Sequence, residues 1–242
     1  MAWHGSSFCA QTALSFLGND PFGGVGHELI PWFEYYEREL PVTKLTLAHV
    51  ELSTCMPLLV VAQDTLEHLE LCKVGVAADF PFEELSFARL KTLKLTQAKG
   101  STFVEGSEDD EGLPLLRFDY GELLKPELCA WLGSLDTLQD LDLAFEVTWF
   151  FTGSMWQQLV GVLPPSLSSL TITVGFSCFA DLLAEALERG ELPKLKAVTF
   201  RTSQLTYKHS SQEREETYAR FFDAFKEIAA SRQMDVQVLY DF

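Results

Sequence analysis

The residues with most to offer chemically come in pairs split by one apolar position: Lys44 and Thr46, His68 and Glu70, Thr92 and Lys94, Asp140 and Asp142, Ser169 and Thr171. Leu115 and Arg117, and Ala197 and Thr199, continue the series with one polar member each. An i, i+2 spacing sends both side chains to the same face of an extended strand. Together they offer carboxylates, ammonium and guanidinium groups, hydroxyls and one imidazole, a set suited to binding by ion pairs and hydrogen bonds. Between neighbouring strands Glu70 is expected to meet Lys94, and Arg117 to meet Asp142. Such lateral pairs support sheet register by about 0.2–1 kcal/mol each, and they leave the strip nearly neutral.

Other chemistry has less support. The five histidines (His4, His27, His49, His68 and His209) form no H-E-x-x-H and no i, i+4 pair, so no metal ligand is assigned. Gly23-Gly24-Val25-Gly26 ahead of a helix lacks the Gly-Lys-Ser/Thr ending and the preceding strand of a phosphate cradle, and reads as a helix-entry loop. No G-x-S-x-G is present, and Ser, His and Asp show no local triad pattern. We therefore assign no catalytic residue and no cofactor, and expect the protein not to be an enzyme; a spatially assembled site is the minor alternative.

Bulk properties narrow the partners. A chain of 242 residues that is 47% hydrophobic and 12% aromatic can bury a large core as one elongated domain. Its net charge of −17 argues against nucleic acid and anionic membranes, because each phosphate contact needs a Lys or Arg. The five cysteines (Cys9, Cys55, Cys72, Cys129 and Cys178) are odd in number and scattered, as expected for reduced thiols in a cytoplasmic or nuclear protein. Met1 to Gly5 lacks a positive n-region, and no run reaches membrane-spanning length.

A repeat must position the paired residues. Leu66, Leu69 and Leu71 follow the order L-x-x-L-x-L, which returns twenty-four positions later at Leu90, Leu93 and Leu95, and begins as early as Val42, Leu45 and Leu47. Downstream come Leu113/Leu116/Phe118, Leu138/Leu141/Leu143, Leu167/Leu170/Ile172 and Leu195/Val198/Phe200. A period in the twenties marks a supersecondary unit that cannot bury its own apolar face and must stack on its neighbours.

This order resembles a divergent leucine-rich repeat, most similar to the repeat region of fungal F-box proteins, with Leu163 to Ile172 as the most family-like run. The resemblance implies an α/β leucine-rich-repeat solenoid of about seven to nine irregular repeats of roughly 23–30 residues, with a curved parallel sheet on the concave side and helices and loops on the convex side. The usual pattern places Asn or Cys three residues after the last strand leucine. Those places hold Val50, Val74, Ala98, Gly121, Glu146, Gly175 and Ser203, and Asn19 is the only asparagine.

Three regions are expected: residues 1–41 as a partial repeat and helix, 42–209 as the array with an acidic mobile loop at 105–112, and 210–242 as a capping helix and strand. In the first, Ala13 to Leu17 reads as a strand and His27 to Leu40 as a helix. In the array, Ser53 is expected to cap a helix through Val61. Phe80, Phe82, Leu85 and Phe87 suggest one short turn. Helical stripes run over Glu122–Leu135, Ser154–Leu163 and Phe179–Leu187, the last closed by Gly190. In the cap, Ser210 to Glu213 is a capping box ahead of Tyr218, Phe221, Phe222, Phe225 and Ile228, and Val236 and Val238 suggest a last strand.

The function expected is a monomeric protein-interaction scaffold that binds a protein partner on the concave sheet through Lys44, Thr46, His68, Glu70, Thr92, Lys94, Arg117, Asp140, Asp142, Thr171 and Thr199. The F-box resemblance implies substrate recognition for a cullin-type ubiquitin ligase. No F-box-like segment precedes Val42, so adaptor binding is expected to need further residues. The alternative from another class is an acidic sequestering protein that binds a basic partner through Asp140, Asp142 and the 105–111 loop.

Overall fold

The computed structural model describes residues 12–17, 42–48, 50, 52–74, 80–97, 126–144, 152–174, 178–202, 222–223 and 225–240. Eight strands form one parallel sheet in chain order: β1 (Thr12–Leu17), β2 (Val42–Ala48), β3 (His68–Val74), β4 (Thr92–Gln97), β5 (Asp140–Ala144), β6 (Ser169–Val174), β7 (Ala197–Thr202) and β8 (Asp235–Tyr240). Parallel neighbours need a crossover, and the described helices pack against the buried leucine rows, which leaves the other face of the sheet to its polar side chains. This is an α/β leucine-rich-repeat solenoid.

Register follows the leucine order. Leu45, Leu69, Leu93, Leu141, Leu170, Val198 and Val236 are successive partners, and so are Leu47, Leu71, Leu95, Leu143, Ile172, Phe200 and Val238. From β2 to β7 these two rows are at most 5% exposed, so they form one continuous core. The leucine that opens each unit joins them, as Leu66, Leu90, Leu138, Leu167 and Leu195 are all buried. A slip of one residue would turn both rows to water.

The covered side differs from unit to unit. A 3-10 turn over Leu52–Cys55 runs into α1 (Met56–Ala62), which buries Leu58, Leu59 and Ala62. Ser53 does not cap that helix: it lies inside the 3-10 turn, and the cap residue is Cys55, which makes no side-chain cap bond. The turn has already begun the coil before α1, so no hydroxyl is needed at the entry. Between β3 and β4 the described residues form one 3-10 turn (Phe82–Glu84), with Phe80, Phe82, Leu85 and Phe87 buried around it. The next helix, α2 (Pro126–Gly133), seals this thin unit: Trp131 lies 5.4 Å from Phe82 and 6.1 Å from Phe87, and its Nε1–H donates to Leu85 O at 3.2 Å. Its described stripe is Leu128, Trp131 and Leu132, followed by Leu135.

In α3 (Gly153–Gly161) the Thr152 side chain accepts from the Met155 N–H, and Trp156, Leu159 and Val160 are buried. In α4 (Cys178–Glu188) Phe179 meets Trp156 edge-on at 5.0 Å. That helix ends as expected at Gly190, whose φ of +76° lets Gly190 N–H reach Leu187 O and Glu191 N–H reach Ala186 O, the two bonds of a Schellman ending. Before β8, α5 (225–231) presents Phe225 and Ala229 to the core, and Phe222 precedes them. Phe200 stacks on Phe222 at 4.6 Å and meets Phe225 edge-on at 5.1 Å. No helix among the described residues is long and apolar enough to cross a membrane.

One repeat read in the sequence is corrected. β4 is hydrogen-bonded directly to β5, with Lys94 opposite Asp142, so the run Leu113/Leu116/Phe118 does not supply a strand between them. An L-x-x-L-x-F run has the alternation of a strand, but only ladder pairing admits it to the sheet. That run, the 105–112 loop, the 27–40 helix, the glycines at 23–26, the 210–213 capping box and the aromatic residues Tyr218 and Phe221 lie outside the described residues.

The missing asparagines have a counterpart at the other end of the strands. Thr65, Thr137 and Ser166 each stand three residues before a strand, and each hydroxyl donates to a carbonyl of the preceding repeat. The acceptors are Val42 O at 2.9 Å, Leu90 O at 2.9 Å and Leu138 O at 2.7 Å. Consecutive units are thus tied through side-chain hydroxyls, each bond worth about 0.5–1.5 kcal/mol.

Candidate interaction surface

Strand alternation places the outward residues of β2 to β8 in rows on the open face. One row runs Lys44, His68, Thr92, Asp140, Ser169, Ala197 and Asp235, and the next runs Thr46, Glu70, Lys94, Asp142, Thr171, Thr199 and Gln237. Ten of the eleven candidate residues fall in these two rows; Arg117 lies outside the described residues. Lys44, His68 and Asp140 are exposed, while the middle of the second row is half-buried by its own neighbours.

The second row is internally bonded. Lys94 Nζ stands 2.7 Å from Glu70 Oε1, as the register requires. Cys72 Sγ donates to the same oxygen at 3.3 Å, and Thr46 Oγ1 donates to Oε2 at 3.5 Å. The Lys94 hydrogen bond holds the Glu70 carboxyl below the usual carboxylate range, and Glu70 in turn raises Lys94. Burial, and then the Glu70 carboxylate, push the Cys72 thiol up, so this thiol is not an activated nucleophile.

Arg117, the expected partner of Asp142, lies outside the described residues, and Asp142 is bonded within them. Its neighbours in the ladder are Lys94 and Thr171, and its carboxylate is gripped by Arg201, with Nη1 at 2.6 Å from Oδ1 and Nη2 at 3.1 Å from Oδ2. Arg201 sits two residues beyond Thr199 on β7, so it belongs to the same outward face and must cross β6 to reach β5. Beneath that crossing lies Thr173, its register partner and the one buried polar side chain among the described residues. Simple continuation of the i, i+2 pattern past Thr199 would have found Arg201.

Toward β2, the first row borders a hollow of about 220 Å³ lined by Lys44, His68, Glu70, Thr92 and Lys94, with Leu45 and Leu69 contributing to its walls. Two ammonium groups, an imidazole and a carboxylate around an open hollow can hold one polar side chain of a partner. Among the described residues no group of three His, Cys, Asp or Glu stands close enough to hold a metal ion. Cys55, Cys72, Cys129 and Cys178 are not joined in disulfides, and burial pushes Cys129 up to about 11.

No family model matches the chain, and no curated protein matches it. Among solved structures it is similar to the leucine-rich repeat-containing protein LegL7 from Legionella pneumophila, with a TM-score of 0.48 and 15% identity over 88% of this chain. The match spans 61% of the length of LegL7.

Proposed function

We propose that the protein is an interaction scaffold that binds a protein partner across the open face of its sheet. The observation that carries this reading is the register. Polar side chains from repeats far apart in sequence stand in rows, with neighbours in a row about 4.8 Å apart, a surface that a partner segment can follow strand by strand. The hollow beside His68 and Thr92 is the place for an anchoring side chain, and the first row is the one whose polar groups stay open to a partner.

Support for a narrower form comes from the resemblance of the repeat order to F-box proteins, which would make the bound protein a ubiquitin-ligase substrate. Co-expression with a Skp-family adaptor addresses that form, since a complex with this chain alone would mean that it also carries the adaptor-binding half. The acidic-sequestering alternative is weakened by the face itself, where Asp142 is engaged by Arg201 and Glu70 by Lys94.

Affinity capture with quantitative mass spectrometry tests the main reading on wild-type protein, on Thr92→Arg with Thr171→Arg on the open face, and on Val60→Arg on the helical side. Thr92 and Thr171 are half-buried in the rows and Val60 is exposed on α1. A partner lost from the open-face variant and kept by Val60→Arg supports the proposal. The reverse pattern would place recognition on the helices and refute it.

A further inference from the structure

Away from the two rows, cations gather at one place in this acidic chain. The residue just before each strand forms a backbone ladder of its own. Gln139 N–H donates to Lys91 O at 2.8 Å, Ser168 N–H to Gln139 O at 2.7 Å, and Lys196 N–H to Ser168 O at 2.9 Å. These rungs line a groove of about 710 Å³ along the ends where the strands begin. Arg89 and Lys91 stand at one end of it and Lys194 and Lys196 at the other, with Gln139 and Ser168 between. Four of the eighteen Lys and Arg residues in a chain of net charge −17 therefore share one groove.

Two carboxylates, Glu67 and Asp136, also reach the groove. Glu67 is already held by Lys91 at 2.7 Å and by Arg89 at 3.8 Å. Lys194 and Lys196 are exposed and make no ion pair among the described residues. Each end keeps a positive excess: Arg89 and Lys91 share the one carboxylate of Glu67, and Lys194 and Lys196 are held by none among the described residues.

We propose that this groove binds an extended acidic segment of a protein partner, with carboxylates at positions i and i+4. Neighbouring strands lie about 4.8 Å apart, so the three steps from the Lys91 rung to the Lys196 rung span about 14 Å. An extended peptide advances about 3.4 Å per residue, which carries i to i+4 over about 14 Å with both side chains on one face. The side chain at i+2 falls over Gln139 and Ser168, whose amide and hydroxyl suit a Ser, Thr, Asn or Gln. A long polyanion would meet the repulsion of the rest of the chain. A short segment feels chiefly the cations within about 8 Å, the screening length at physiological salt.

Fluorescence anisotropy on the full chain tests this with labelled Ser/Gly-based peptides that carry two glutamates at i and i+4, two at i and i+1, or two glutamines at i and i+4. The i, i+4 peptide is expected to bind about tenfold more tightly than either control, and Lys194→Glu with Lys196→Glu to remove that advantage. Thermal melting by circular dichroism checks that variant; if it is unfolded, Lys194→Gln with Lys196→Gln replaces it. Thr92→Arg with Thr171→Arg on the open face should leave peptide binding intact, which separates this groove from the scaffold surface. Equal binding of the three peptides, binding unchanged in the lysine variants, or equally tight binding of a single-stranded oligonucleotide would overturn the proposal.

Discussion

Arg201 on β7 reaches over β6 to hold both carboxylate oxygens of Asp142 on β5, at 2.6 and 3.1 Å. The two side chains keep only 29% and 22% of their exposure, so the pair works in a less screened setting than a surface bridge. It clamps three strands across two unit boundaries, where Thr171 and Thr199 are the neighbouring members of the polar row. Its two-pronged geometry also makes the fork specific to arginine.

A double-mutant cycle over Asp142→Ala and Arg201→Ala should therefore show a coupling of about 1 kcal/mol in urea unfolding, at the upper end for partly exposed pairs. Arg201→Lys should retain less than half of it, because an ammonium cannot engage both oxygens. A coupling indistinguishable from zero would mean that solvent screens the pair fully.

The Glu70–Lys94 bridge predicts a pH window. Glu70 is lowered in the fold, so its contribution is full above the unfolded value near ~4.3 and is lost as pH falls through the folded value. Lys94 is raised, so its contribution is full below the unfolded value near ~10.4 and is lost as pH rises through the folded one. Lys94 is 41% exposed, which limits the pair to about 0.5 kcal/mol after screening. Wild type should exceed Glu70→Gln in stability by that amount on a plateau between the two values, and the gap should close in acid below pH ~4. A gap that persists in acid would assign the effect to packing rather than charge.

Much of this was legible in the leucines. The order around Leu69 and Leu71 set the register with Leu45, Leu47, Leu93 and Leu95, because period-two alternation leaves only one face for the core. It also brought Glu70 opposite Lys94. The same alternation misled at Leu113, Leu116 and Phe118, where a strand-like pattern does not enter the sheet between β4 and β5. It stopped one outward residue short at Thr199 and so missed Arg201. The hydroxyl ties were hidden for another reason: Thr65, Thr137 and Ser166 precede the leucine motif, and only the stacked backbone brings a carbonyl to each of them.

Those ties carry their own test. Thr137→Val keeps the shape of the side chain and removes the bond to Leu90 O, leaving that carbonyl without the hydroxyl. The expected loss is about 1 kcal/mol in urea unfolding, within the range for a single hydrogen bond. Ser53→Ala, on an exposed position of the first 3-10 turn, should cost less than half as much. Equal losses would mean that the hydroxyl between repeats does not hold the units together.

At the far end of the stack, Phe200 of β7 is fully buried against Phe222 and Phe225, and beyond it Val236 and Val238 on β8 are only half-buried. The two phenylalanines thus close the core on the side where no later repeat follows among the described residues. Phe225→Ala should remove about 3–5 kcal/mol locally, the range for a large-to-small change at a fully buried ring. In a stacked array each unit contacts only its neighbours, so the damage should spread from that end rather than dissolve the whole sheet. Hydrogen exchange read along the full chain should show β8 and β7 losing protection first, with β3 and β4 retaining theirs. Uniform loss across all strands would mean that the solenoid unfolds as one unit. Unchanged protection in β7 would mean that the Phe200 cluster does not close the stack.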